Sequence, residues 1–233
     1  MPNAPYRSAH YNEFVPQAAR KPPLEPQQAR SRESLRKLLK AAVEVLGQHG
    51  VAGATIPRIA AHAGLSAGSV YRRFRDKDAL LEAAILHVLA RQRDRAASQL
   101  SPELVRQIPL PVFTEQFVAG MVAGYRANGA LFRAMKQFAA TREGTPFWKR
   151  ASKLEVEAVS ALAEIFLVHR AQMKVPRPRE AVGLALMMLP SMLAELATHP
   201  WPKGYARLLP SNDEALKREL VRAFLAFLGV APR

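Results

Sequence analysis

The chain has 233 residues, 34 of them Lys or Arg against 19 Asp or Glu, for a formal net charge of +15. A hydrophobic fraction of 49% suits a packed core and is too high for a disordered chain. The absence of cysteine excludes disulfides, thiol catalysis and cysteine-held metals, and fits a reducing cytoplasm.

Residues 1–28 hold six of the eighteen prolines and show no sustained periodicity, which predicts a flexible arm. Arg7, Arg20 and Lys21 could reach phosphates or a minor groove from it, but residues 1–29 carry a net charge of only +1, which favours a plain tail. No apolar run of the signal-peptide kind occurs there. Between residues 30 and 100, thirteen basic and six acidic residues leave +7. The same surplus is spread over the longer stretch 101–233. The denser positive charge toward the N-terminus suits a phosphate polymer.

The first helix is predicted over residues 29–49. Leu35, Leu38, Leu39, Ala42, Val43 and Leu46 form one apolar stripe, and Gly50 ends it. Residues 55–77, TIPRIAAHAGLSAGSVYRRFRDK, then read as two short helices joined by a turn. Ile56, Ile59, Ala60 and Ala63 share a face. Thr55 is placed to cap the first helix, with Pro57 in its first turn. Gly64 supplies a left-handed stop, and Ser66 is placed to cap the second helix, which turns Val70 and Phe74 inward. A small residue at the crossing, a glycine turn and an apolar pin are what a helix-turn-helix requires, although an ordinary helical hairpin shares them. The outer face favours the nucleic-acid reading. Ala67 and Gly68 let backbone approach a groove wall, and Ser69, Tyr71, Arg72 and Arg73 offer donors to phosphate or guanine. Lys77 adds a point charge for phosphate.

On Gly50, Thr55, Ile59-Ala60, Ala63-Gly64, Ser66, Gly68, Tyr71, Phe74, Lys77 and Leu80, residues 30–95 resemble the DNA-binding domain of the tetracycline-repressor (TetR) family of bacterial transcriptional regulators. The resemblance implies a dimer on a palindromic double-stranded operator, released when a small molecule binds the C-terminal domain. Pro57 and Arg72 fall at variable positions, so no operator sequence carries over. The 28-residue tail is longer than many members have.

Residues 77–99 form one helix, about 35 Å long at about 1.5 Å per residue. It is apolar through Leu81, Ala84, Ile85 and Val88 and polar afterwards, so its later turns should meet a second domain. Ser101-Pro102-Glu103 opens a short helix. Further helices are predicted at 112–126, 128–141, from Thr145-Pro146 to about Met173, and at 179–198. Residues 199–210 read as a proline-rich loop. Ser211 and Glu214 form a capping box for the last helix, which Gly229 stops. No strand pattern and no repeat occurs, so the expectation is an all-α chain of about nine helices. Its organisation would be an arm (1–28), a three-helix DNA-binding domain (29–76), a connecting helix (77–100) and a ligand-binding and dimerisation domain (101–233).

The six histidines show no metal spacing, and neither a catalytic set nor a glycine-rich phosphate loop occurs. The sequence therefore points to no enzyme, no metal and no cofactor. The longest uncharged run, Ala181 to Ala194, has fourteen residues, short of the about twenty that span a membrane. The helices at 179–198 and 211–229 are broadly apolar and sit centrally or at an interface. The resemblance makes them the dimer face; a monomer could bury them in its own core. Aromatic and Met residues suggest an apolar effector pocket, which the resemblance also implies. Its candidate lining is Phe117, Met121, Phe138, Trp148, Phe166, Met188 and Met192, with Tyr125, Gln137 and His169 as polar contacts.

Overall fold

The computed structural model describes residues 24–98, 101–198 and 207–231. Arg7, Arg20, Lys21 and most of the 199–210 loop lie outside them. The described residues contain nine α-helices, one 3-10 turn and no strand. The helices are α1 (Leu24–Gly53), α2 (Ile56–Ala63), α3 (Ala67–Tyr71), α4 (Lys77–Ser98), α5 (Pro102–Arg106), α6 (Leu110–Ala140), α7 (Pro146–Leu167), α8 (Pro178–Thr198) and α9 (Asp213–Phe227). The chain divides into two units, residues 1–35 and 36–233. Every buried core residue belongs to the second.

Two cores organise that unit. The first is built by Leu38, Ala42 and Leu46 of α1, Ile59 and Ala60 of α2, Val70 of α3, and Leu80, Leu81, Ala84 and Ile85 of α4. These are the stripes read from the sequence. The core is completed by Ala134, Met135 and Phe138 of α6 and by Phe147 and Ala151 of α7. A segment of about 60 residues is marginal by itself, and the later helices close the core. The second core joins α5 to α9 around Phe113, Phe166, Leu189 and Phe224.

Several boundaries differ from the sequence reading. α1 begins at Leu24, five residues before the start expected at residue 29, and breaks at Gly50, whose φ of 65° only glycine adopts readily. The helices expected at 112–126 and 128–141 are one element, α6, kinked at Asn128 (φ −125°, ψ 15°). The Asn128 amide donates to the Gly124 carbonyl at 3.0 Å, which holds the chain through the kink. α7 stops at Leu167 rather than near Met173, and a 3-10 turn, Arg170–Gln172, follows. The cap of α9 is Asn212, not Ser211: its side chain accepts from the Ala215 amide at 2.9 Å. The expected capping box is absent because the helix starts one residue later. The Ser101 hydroxyl likewise donates to Glu103 at 2.5 Å instead of capping α5.

Candidate nucleic-acid interface

α2 opens at Thr55, which holds the extended N-cap conformation (φ −84°, ψ 151°) but makes no side-chain cap bond. The hydroxyl read from the sequence as a cap is exposed at the helix entrance instead. α2 closes at Gly64, whose φ of 66° lets its amide reach Ala61 and the Leu65 amide reach Ala60. That turn aims α3. The Ser66 side chain caps α3, accepting from the Ser69 amide at 3.2 Å, and Val70 is fully buried beneath.

With Val70 inward, the opposite face of α3 is outward. Gly68 and Tyr71 are exposed, Tyr71 at 57%, and Arg72 and Arg73 follow in the same turn. Ala67 and Ser69 are half-buried. Ser69 is already engaged: its hydroxyl lies 2.9 Å from Ser66 Oγ and accepts from Arg72 Nη2 at 2.9 Å. It therefore orients Arg72 as well as offering an oxygen of its own. Lys77 is half-buried and donates to the Val51 carbonyl at 3.3 Å, so it holds α4 to the end of α1 as well as adding charge.

Sequence reasoning missed two residues here. Arg58, exposed in the first turn of α2, donates to the Gly53 carbonyl at 2.6 Å and puts a guanidinium beside Thr55. Asp76 accepts from the Ala79 amide at 2.8 Å. That bond, followed by the smaller influence of Arg75, holds its carboxyl below the usual carboxylate range. The signal was present: Asp stands just before the helix, and a helix N-terminus favours an acid. Held ionised in this way and paired with Arg75 at 2.9 Å, Asp76 offsets the charge of Arg75 and leaves Arg58, Arg72 and Arg73 to set the positive field.

The candidate effector residues divide. Phe117, Met121, Tyr125 and Phe166 lie in or against the second core. Phe166 stacks near Phe113 (4.8 Å between centroids), Phe117 (5.2 Å) and Phe224 (5.0 Å). Met188 and Met192 line a cavity of about 20 Å³ beside Phe224 and Phe227, room for about one water. His169 is buried, with its ring 6.2 Å from Phe113. Its Nδ1 lies 3.4 Å from the Gln172 amide nitrogen, and its Nε2 has no hydrogen-bond partner. Burial lowers its pKa, against the pull of the Val105 carbonyl and with a further push from Arg106. Burial, then Glu155, raises the Tyr125 phenol. The structure does not bring the other three to this cluster. Phe138 packs on Phe147 in the first core, and Gln137 and Trp148 are exposed. Helical periodicity marks an apolar face without saying which core receives it. Among the described residues no cluster could hold a metal ion, and no helix is long and apolar enough to cross a membrane.

Residues 38–84, the stretch that builds the first core, match the family model of bacterial regulatory proteins of the tetR family. The HTH-type transcriptional regulator BetI of Cronobacter sakazakii is 30% identical over 200 residues, covering 84% of this chain and 92% of BetI. The chain belongs to the TetR family. BetI of Paraburkholderia phytofirmans shares 41% identity over 71 residues, 28% of this chain and 36% of its own. The fold recurs in a TetR-family regulator from Mesorhizobium loti, with a TM-score of 0.62, 23% identity, and coverage of 84% of this chain and 97% of that one. It also recurs in FadR of Bacillus subtilis in complex with stearoyl-CoA, with a TM-score of 0.57, 15% identity, and coverage of 82% and 98%. This TetR-family chain is thus a DNA-binding transcriptional regulator, and α2 with α3 is its helix-turn-helix.

Proposed function

We propose that this regulator is a cytoplasmic repressor that grips a palindromic operator as a homodimer and lets go when a small apolar molecule binds its C-terminal helices. Residues 29–76 read DNA, 77–100 connect, and 101–233 dimerise and bind the effector. No catalysis is part of this reading. The observation that carries the DNA half is the outward face of α3, where Tyr71, Arg72 and Arg73 stand over a fully buried Val70. Thr55, at the entrance of α2, adds a phosphate contact beside Arg58.

The dimer half is supported by α8. Its inner side packs Val182, Ala185, Leu186, Leu189 and Leu193, yet Leu184 and Met187 are half-exposed or more, and Met192 is 42% exposed. An apolar strip of this kind suits a self-complementary contact made together with α9. For the effector, the phenyl cluster around Phe166 is the apolar candidate, with His169 as its polar contact. FadR of B. subtilis, of the same fold, holds stearoyl-CoA. Because Phe166 is fully buried, an effector would have to part these rings, and a ligand that prefers the opened state would shift the population toward it.

The test is a gel shift with DNA flanking the chain's own gene. Arg73→Ala should weaken binding by about tenfold or more, the loss of one charge-assisted contact. Unchanged binding would remove Arg73 from the interface.

A further inference from the structure

We propose that Arg142, at the turn between α6 and α7, is a positioning residue for DNA recognition: it clamps the first two turns of α4 and thereby fixes the angle at which α3 is presented. The inference rests on α3 being the DNA-reading element. Arg142 Nη2 donates to Asp78 Oδ2 at 2.6 Å, and its Nε lies 3.8 Å from Glu82 Oε1. Asp78 and Glu82 stand four apart on α4, so one guanidinium spans a full turn of that helix. The remaining donor, Nη1, is held by the Phe138 carbonyl and the Thr141 hydroxyl, both at 2.8 Å. The guanidinium carbon sits 3.5 Å from the centre of the Phe138 ring.

An exposed ion pair with this geometry would matter little, since solvent screens it and side-chain entropy opposes it. Here the Arg142 side chain is only 17% exposed and is pinned from four sides. The planar fork makes the contact directional, which a lysine or an apolar residue would not.

The position of the clamp gives it its role. Asp78 lies next to Lys77, whose ammonium holds the Val51 carbonyl at the end of α1. Adjacent residues therefore tie the start of α4 in two directions, to the reading head and to α6. α6 is a firm support. Beyond the Asn128 kink it enters the first core through Ala134, Met135 and Phe138, and at Leu131 it presses on Gly47 so closely that a Cβ there would stand 3.3 Å from Leu131 Cβ. The Arg142 carbonyl also accepts from Thr145, the cap of α7. Three helices, α4, α6 and α7, converge on one residue beside the start of the helix that follows α3.

The experiment uses the full chain and a duplex that the unmodified chain selects from a random library. Arg142→Gln should weaken binding to the selected duplex about tenfold while changing binding to an unrelated duplex by less than about twofold. Arg142→Lys, which keeps the charge and loses the fork, should recover only part of the loss. Equal losses on both duplexes, or binding within about twofold of the unmodified chain on both, would overturn the proposal. Hydrogen exchange without DNA provides an independent readout. In the Arg142→Gln variant, amides at 66–81 should exchange faster while those at 182–193 do not, and unchanged rates at 66–81 would also overturn it. If no duplex is selected, the regulator reading fails, and the exchange result alone decides on the clamp.

Discussion

At the scale of single residues, two positions carry consequences that burial and backbone angle make explicit. His169 is 3% exposed and keeps its imidazole neutral because a buried charge there is poorly solvated and stands near Arg106. Its folded pKa lies below the ordinary 6.5, so as pH falls through 6.5 the unfolded chain takes up a proton that the folded chain refuses. The stability difference between the chain and its His169→Gln variant should therefore shrink as pH falls below 6.5 and level off beneath the lowered folded pKa. Urea unfolding at a series of pH values measures it, and a pH-independent difference would discount the burial argument. Gly229 is the second position. Its φ is 65°, and a Cβ there would stand 2.6 Å from the Lys174 carbonyl oxygen. Gly64 has φ 66° but nothing within 4 Å of such an atom. Gly64→Ala should cost about 1–2 kcal/mol from backbone strain alone, and Gly229→Ala distinctly more, because backbone must move as well. Equal urea midpoints for the two variants would contradict the contact.

At the scale of elements, caps and kinks decide where helices begin and end. The Asn212 side chain, not Ser211, satisfies the Ala215 amide at the start of α9. Asn212→Ala should cost about 1 kcal/mol, while Ser211→Ala should cost only a few tenths. A reversed order in thermal melts would restore the capping box. This case also indicates what could be read from sequence. The stripes of α1, α2 and α4 and the Gly64 turn were legible because each is local: periodicity names a buried face, and a positive φ names a glycine. Asn212 and Ser211 are both good caps by type, and only the observed start of the helix separates them. The continuity of α6 was hidden for a related reason, since the break expected between 126 and 128 is a local reading while packing on either side carries the helix through. The candidate DNA residues of α3 were legible from their outward register. The clamp on Asp78 was not, because Arg142 stands 64 residues away and no local pattern links them. The effector residues were the least legible: Phe138 and Phe166 look alike in sequence yet enter different cores.

At the scale of the whole molecule, the question is what covers the outer side of α8. Leu184 is 50% exposed and Met187 65%, three residues apart on one face, with Met192 further along. Full burial of an exposed side chain of this size gains about 1.5–3 kcal/mol, and these, already partly covered, gain about half of it, so a two-fold contact that uses the strip twice gathers a useful driving force before the cost of association. Symmetry makes the strip testable. In a two-fold interface every substitution appears twice, so one glutamate introduced there puts two carboxylates into an apolar contact. Met187→Glu should leave the protomer folded, because the side chain already faces solvent within it. Light scattering should then show a monomer with unchanged helical circular dichroism. Its binding to a palindromic duplex should fall to that of a single half-site, since one reading head contributes where two did. A Met187→Glu protein that stays dimeric would place the contact elsewhere and leave the apolar strip on α8 without a role in assembly.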